Sequence, residues 1–396
     1  MEDKFSDRKF GTRVVWSGTN HMEGSPITPI FTTSTYKLSD DRYKKWKETG
    51  GHHTLTYSRY SSINSEAVSA KVAALEGADD GETFGSGMAA ISTTLLSQLS
   101  QGDHIVTSAD IYGGTYALMT SELPRLGIGV SMADIRDPSS FQAAINENTK
   151  VLYVETITNP TLKVCDIVEM AKIAKNHGLI SIVDNTFATP WACRPLEMGF
   201  DLVIHSGTKF LNGHTDLTAG IVVGRGDLIK SVFNLKKSLG GAADPQMCYL
   251  LERGMRTLHA RMPIHASNAA ELAMRLKDHP AITSVNHPSL PNDPDHDVAS
   301  RVVPRGTGML SFSVKGGDQA ALDFVRELEI VFEATSLGGV ESLVQCPFNT
   351  SHMFVPEDVR LEAGILPGFV RMSVGIENVE DLWYDLDQAL ISSQSQ

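Results

Sequence analysis

The chain has 396 residues, 41% of them hydrophobic, and a formal net charge of −13. That acidic balance disfavours nucleic acid or an anionic membrane as the main partner, and no apolar run reaches the ~20 residues of a membrane span. The length suffices for two domains. Cys165, Cys193, Cys248 and Cys346 show no CxxC pairing, so reduced thiols in a cytoplasmic protein are expected. The charged opening Met1-Glu-Asp-Lys-Phe5 does not read as a secretory leader.

Residues 1–56 are rich in Thr, Ser and Pro and read as an irregular arm. The apolar residues of Thr28-Pro-Ile-Phe-Thr-Thr-Ser-Thr-Tyr36 have no helical period, so this arm is expected to lie across another surface, a neighbouring subunit included. Adjacent His52 and His53 cannot share a helix face; they read as loop residues, and no metal site is expected. Tyr57-Ser-Arg59 can be an anion clamp, because a phenol and a guanidinium both donate to phosphate. A surface Tyr–Arg stack is the other reading, and the residues alone favour it. Residues 64–76 have helical spacing, with Asn64 or Ser65 as the N-cap. Gly85-Ser-Gly87-Met-Ala-Ala-Ile91 is a glycine turn entering a helix, whose free N–H groups suit a phosphate. The same stretch fits GxGxxA, and His104–Asp110 supplies a strand and an acid where a ribose partner would lie. A nicotinamide-dependent oxidoreductase is therefore a rival on local evidence.

Tyr112 follows that strand; an aromatic there can stack on a flat ring or pack as a turn residue. Lys150–Glu155 is a further strand, leading to Asn159 before Pro160. The Asn159 amide can face a cofactor hydroxyl or a substrate carboxylate, or close an Asx-turn. Ile180–Thr186 is a buried strand carrying Asp184 toward the crevice where α/β proteins bind ligands. A carboxylate there can keep a pyridinium nitrogen protonated or cap a helix. Asp201–His205 is another buried strand, and it delivers Lys209 into a turn between Ser206 and Thr208. Such a lysine suits a covalent link to an aldehyde cofactor whose phosphate the hydroxyls hold; a solvated loop lysine is the other reading. Strands alternate with helices from Glu82 to about Val223, which predicts right-handed crossovers and a mainly parallel sheet covered on both faces. After Arg225 the pattern changes. A long helical stretch over 245–276 is followed by half-buried strands at 308–314 and 368–374 and helices at 318–328 and 379–390, a smaller α+β unit. Arg371, inside an otherwise apolar strand, needs a partner or a ligand. An amino-acid carboxylate fits its fork, as does a structural ion pair.

Asp184-Asn-Thr-Phe-Ala-Thr-Pro190 and Ser206-Gly-Thr-Lys-Phe-Leu-Asn-Gly-His-Thr-Asp216 resemble the core signature of the Cys/Met-metabolism family of pyridoxal-phosphate-dependent enzymes. This is the transsulfuration, or cystathionine γ-synthase-like, family, and the resemblance runs from about Thr12 to about Leu390. It implies a fold-type-I α/β enzyme with a pyridoxal-phosphate-binding large domain over 57–250 and a smaller α+β domain over 251–396. By that resemblance Lys209 carries the cofactor and Tyr112, the second catalytic group, lies over its ring. Asp184 meets the ring nitrogen, Gly87, Met88, Ser206 and Thr208 the phosphate, and Ser86 and Thr186 also bind the cofactor. Tyr57 and Arg59 complete the phosphate site of the neighbouring subunit. Asn159, Thr335, Ser336 and Arg371 meet the substrate, the last two at its α-carboxylate. A dimer of dimers follows from the same likeness.

Four places depart from the family pattern. Ser62-Ile-Asn64 stands where Asn-Pro-Thr is usual, and Thr156-Ile157 where Ser-Pro or Thr-Pro is usual. Gly114 occupies the position of a cysteine in methionine γ-lyases. Thr335 replaces the glutamate that enzymes binding cystathionine often turn toward its distal ammonium. Gly114 and Ser62-Ile-Asn64 are expected to leave room for a bulky γ substituent. The expected activity is γ-elimination or γ-replacement on an L-amino acid with a Cγ leaving group, through a vinylglycine-type intermediate. O-acylhomoserine, methionine and homocysteine derivatives, S-adenosylmethionine included, are the expected substrates. A cystathionine γ-lyase or γ-synthase, or a methionine γ-lyase proper, is the alternative. The nicotinamide enzyme and a non-catalytic protein of this fold stand further off.

Overall fold

In a computed structural model, which describes residues 4–350, 353 and 357–394, two sheets organise the chain. The first has seven strands: β1 (Asp80–Phe84), β2 (His104–Ser108), β3 (Gly129–Ala133), β4 (Thr149–Glu155), β5 (Ile180–Asp184), β6 (Leu202–Ser206) and β7 (Gly220–Gly224). Their order is β1-β7-β6-β5-β4-β2-β3, and β7 alone runs against its neighbours. Val106, Leu152, Val183 and Val203 pack on one face against the helix Ile167–Asn176. Ile105, Val151, Ile182 and Ile204 pack on the other, against Gly87–Gln98 and Gly226–Leu239. Such runs of apolar residues are what a sheet covered on both faces requires.

This order removes the dinucleotide reading of the Gly85–Ile91 turn. A dinucleotide fold returns its first helix to a parallel strand beside the first. Here β1 pairs antiparallel with β7, and four strands separate it from β2.

The second sheet contains β8 (Ile282–Asn286), β9 (Met309–Val314), β10 (Phe332–Glu333), β11 (Leu343–Gln345) and β12 (Phe369–Ser373), in the order β10-β11-β12-β9-β8. The half-buried character expected of β9 and β12 is not observed; both are buried at every position. One face meets the helices Gly317–Arg326 and Val379–Ser393. The other faces the first unit, where Ser311 Oγ donates to the Pro160 carbonyl at 2.7 Å.

The stretch 245–276 is two helices, Pro245–Met255 and Leu258–Lys277, broken at Arg256–Thr257. The second starts in the first core with Leu258 and Met262 and ends in the second with Leu272 and Leu276. The arm also holds more structure than its composition suggests, with helices at Phe10–Trp16 and Asp40–Thr49. The N-cap of Ile63–Glu76 is Ser62, which shares a capping box with Ser65. Asn64 lies inside that helix, and its amide clasps the arm by accepting from Phe31 N and donating to Pro29 O, both at 2.9 Å. Ser62 and Asn64 are therefore buried braces, and the room expected at this departure is filled. No described helix is long and apolar enough to cross a membrane.

Candidate active site

The carboxyl ends of the parallel strands converge on one crevice, the place where open α/β sheets bind ligands. β4 ends on Glu155, β5 on Asp184 and β6 on Ser206, with Glu155 and Asp184 opposite each other in register. The helix Gly87–Gln98 starts there too, capped by Ser86, whose Oγ accepts from Ala89 N at 3.1 Å. No helix carbonyl reaches its first N–H groups, those of Gly87 and Met88. A Cβ on Gly87 would sit 3.0 Å from both Cβ and Oγ of Ser206, so any side chain would fill the hollow between helix start and strand end.

Lys209 leaves the turn after β6. Its Nζ donates to Ser336 Oγ at 2.7 Å. Burial, helped by the positive charge of Arg371, lowers its pKa to about 8. Ser336 has φ +82°, a left-handed conformation that costs a non-glycine residue strain. That backbone turns the Ser336 hydroxyl to Lys209 and its carbonyl to Arg371. Two residues on, Gly338 has φ +80°, and a Cβ there would lie 2.5 Å from Phe210 N. The loop can rest on the lysine's own backbone only because Gly338 has no side chain.

Arg371, on β12, is 4% exposed, and burial lowers its pKa to about 10. Its Nη1 donates to Asn159 Oδ1 at 2.9 Å and its Nη2 to the Ser336 carbonyl at 2.7 Å. The Gln345 amide oxygen accepts from Nη2 and Nη1 at 3.1 and 3.2 Å. Among the described residues no carboxylate pairs with it, and Nε has no acceptor. A buried cation held only by neutral groups is costly unless a ligand brings the charge.

Asp184 is 9% exposed, and burial raises its pKa against the lowering effect of Thr186. Thr186 N and Oγ1 donate to Asp184 Oδ1 at 2.9 and 2.5 Å, and Thr186 Oγ1 accepts from Ser206 N at 2.9 Å. Thr186 thus ties the ends of β5 and β6 together and leaves Oδ2 of the acid without a hydrogen bond among the described residues. Thr208 is engaged elsewhere: its hydroxyl bonds the Ala219 carbonyl at 3.3 Å and accepts from Ala219 N at 2.9 Å. Thr335 is exposed beside Ser336.

Glu155 went unassigned in the sequence, although it shows the same signal as Asp184, an acid ending a buried strand. Its Oε1 accepts from Tyr112 N at 2.8 Å and its Oε2 from Asn159 N at 3.1 Å. One carboxylate, 4% exposed, thus orients both loops at the crevice; burial first, then the Asp184 charge, raises its pKa well above the usual range. The Tyr112 ring lies over Gly114, where a Cβ would come within 2.6 Å of Tyr112 Cε1. The space expected at Gly114 is therefore occupied by the tyrosine. Tyr57 and Arg59 lie apart from this cluster. The Arg59 guanidinium sits 5.5 and 5.0 Å from the rings of Tyr57 and Tyr60, and its Nη1 donates to the Lys237 carbonyl. Within one chain they form the surface stack.

A family model described as Cys/Met metabolism PLP-dependent enzyme matches residues 11–391. The chain belongs to that family. It is a fold-type-I, pyridoxal-phosphate-dependent enzyme of carbon–sulfur lyase chemistry, and the nicotinamide alternative falls with that. An L-methionine γ-lyase of Porphyromonas gingivalis is 40% identical, with 97% of each chain covered. A cystathionine γ-lyase of Bacillus subtilis is 41% identical over 93% of this chain and 94% of its own. A crystal structure of cystathionine γ-lyase from Lactobacillus plantarum complexed with L-serine superposes with a TM-score of 0.92 at 38% identity, covering 98% of this chain and 99% of that one. The residues present fit the cofactor: the helix start at Gly87 and Met88 offers backbone N–H groups to a phosphate, and Asp184 keeps an oxygen for a ring nitrogen.

Proposed function

We propose that this enzyme eliminates or replaces a Cγ substituent of an L-α-amino acid. One observation supports the substrate class above the others. Ser336 takes Lys209 Nζ on its hydroxyl and Arg371 Nη2 on its carbonyl, both at 2.7 Å. An amine and a buried guanidinium flank a single residue, which suits a ligand bearing its amino and carboxylate groups on one carbon. In this reading Arg371, Asn159 and Ser336 bind the α-carboxylate. Lys209, poised near neutrality, moves protons at Cα and Cβ. Ser86, Gly87, Met88, Ser206 and Thr208 hold the cofactor phosphate, Thr208 by exchanging its bond to Ala219. Asp184, steadied by Thr186, holds the ring nitrogen protonated; a cationic partner would pull its raised pKa back down. Tyr112, fixed through its backbone by Glu155, covers the ring. Pyridoxal phosphate, when bound, supplies the electron sink for a carbanion at Cα.

Thr335 supports a substrate without an obligatory distal ammonium, since a hydroxyl cannot neutralise one. The relatives' names divide between methionine and cystathionine lyases at similar identity, so the choice rests on this residue. L-methionine, O-acetylhomoserine, O-succinylhomoserine, S-adenosylmethionine and cystathionine should be compared for release of 2-oxobutanoate or formation of a replacement product. One of the first four is expected to have the highest kcat/KM. Cystathionine leading by a wide margin would overturn the assignment.

The surface position of Tyr57 and Arg59 supports their completing a neighbour's phosphate site, in at least a dimer and by family likeness a dimer of dimers. Arg59→Ala and Lys209→Ala chains, each poorly active alone, should regain activity when mixed. Random pairing of two-fold dimers sets the ceiling at about a quarter of wild type. A fully active monomer would exclude this. In this reading the chain divides into an arm (1–56), a cofactor-binding domain (57–250) and a small domain (251–396). Four buried, unpaired cysteines suit a cytoplasmic setting.

A further inference from the structure

The adjacent histidines that cannot share a helix face meet instead at the open edge of the large sheet. His52 and His53 follow the helix Asp40–Thr49 and lie against Asp80 and Glu82 of β1. His52 is 8% exposed and its Nε2 has no hydrogen-bond partner among the described residues. That nitrogen points between two acids, 3.5 Å from Asp80 Oδ2 and 3.3 Å from Glu82 Oε1. His53 Nε2 stands 3.0 and 2.9 Å from the two oxygens of Asp80. The ligand atoms of His52, His53 and Asp80 all lie within 4.8 Å of one another.

We propose that His52, His53 and Asp80, with water as the fourth donor, form a site for a divalent transition cation of the zinc class. Geometry carries the argument. Four donors about 2.0–2.1 Å from a tetrahedral zinc stand about 3.3 Å from one another. Two donor separations here, 3.5 Å from His52 Nε2 and 2.9 Å from His53 Nε2 to Asp80 Oδ2, lie either side of that edge. Two imidazoles and one carboxylate, with a water, are a zinc donor set. The hydrogen-bond alternative fits less well. Hydrogen bonding accounts for His53, which pairs with Asp80, but His52 Nε2 makes no hydrogen bond of proper geometry among the described residues, and the two tilted rings, centroids 4.0 Å apart, are a poor arrangement for two imidazolium cations.

The surroundings are those of a structural clip. Lys236 Nζ holds Glu82 Oε2 at 2.6 Å, which leaves Oε1 facing His52. The Phe233 ring packs 4.8 Å from the His52 ring, and Glu66 Oε1 stands 4.0 Å from His53 Nδ1. Asp80 opens β1, whereas the histidines belong to the arm, a few residues before Tyr57. A bound cation would staple the arm to the sheet edge just where the chain turns toward Tyr57 and Arg59. The staple stands on its own donors and does not depend on the substrate assignment.

The test uses the holoenzyme, treated with a chelator, exposed to Zn2+ and desalted. A single equivalent of zinc per chain is expected by elemental analysis. X-ray absorption should show a four-coordinate nitrogen and oxygen shell with imidazole, and Tm should be higher with zinc than without. The double variant His52→Asn with His53→Asn should lose both the zinc and the Tm rise. Asp80→Asn, a near-isosteric change, should weaken uptake and guards against misfolding of the double variant; the cofactor band and far-UV circular dichroism verify that both fold. A wild-type chain that keeps no zinc after desalting, or uptake that survives the double substitution, overturns the site.

Discussion

Lys209→Ala is expected to abolish turnover, by about 10^3-fold or more, because it removes both the covalent tether and the base that moves protons at Cα and Cβ. The visible band of the lysine–cofactor link should vanish with it, while the helix start at Gly87 and the Asp184 carboxylate should still hold cofactor non-covalently. The wild-type lysine should show its tuning in the apoenzyme. Only the neutral amine can capture an aldehyde. With its pKa lowered from 10.5 to about 8, about half of the chains present that form at pH 8, against about one in three hundred for an ordinary lysine. The rate of cofactor uptake should therefore rise with pH, pass its midpoint near 8 and level off. A midpoint above 10 would mean that burial and Arg371 do not act on Lys209 as described.

Which parts of this site were legible in the sequence follows from how local their causes are. Asp184 and Lys209 each follow a short apolar strand, and strand ends in an α/β sheet point into the crevice, so a local pattern carries positional meaning. Arg371 was legible because a charge within an apolar strand demands an explanation. Glu155 offered the same cue as Asp184, and its role depends on the Tyr112 and Asn159 backbones, which only the fold brings to it. The cap of Ile63–Glu76 lay among Ser62, Asn64 and Ser65, all competent caps; the arm's need for an amide at Asn64 decides among them. The break at Arg256–Thr257 was hidden because apolar spacing continues across it. Ser311 looked like the polar side of a half-buried strand, and its buried partner, the Pro160 carbonyl, comes from the other unit. His52, His53 and Asp80 met for the same kind of reason, through a loop crossing a sheet edge.

Arg371→Met is expected to separate activity from stability. Truncating one side of a buried, hydrogen-bonded charge pair costs about 2–5 kcal/mol. In kcat/KM for the amino acid this is a loss between about thirtyfold and several thousandfold. The folded enzyme should lose far less. In wild type without substrate the guanidinium is buried among Asn159, Ser336 and Gln345, with no carboxylate paired to it among the described residues, so an apolar side chain of similar length relieves the cost of an unpaired charge. Against that gain stand three acceptors deprived of a donor; the Ser336 carbonyl is the least sequestered and can turn to water. The opposing effects should leave the Tm of the ligand-free holoenzyme little changed. Glycine, the smallest α-amino acid, should raise the wild-type Tm, by an amount equivalent to about 2.7 kcal/mol at a hundred times its Kd, and should not raise that of the variant. Removing the positive charge should also move the cofactor-uptake midpoint of Lys209 upward, since a neighbouring cation disfavours the protonated amine. A variant that melts far below wild type yet keeps its glycine-dependent shift would make Arg371 a structural brace and leave the carboxylate to another residue.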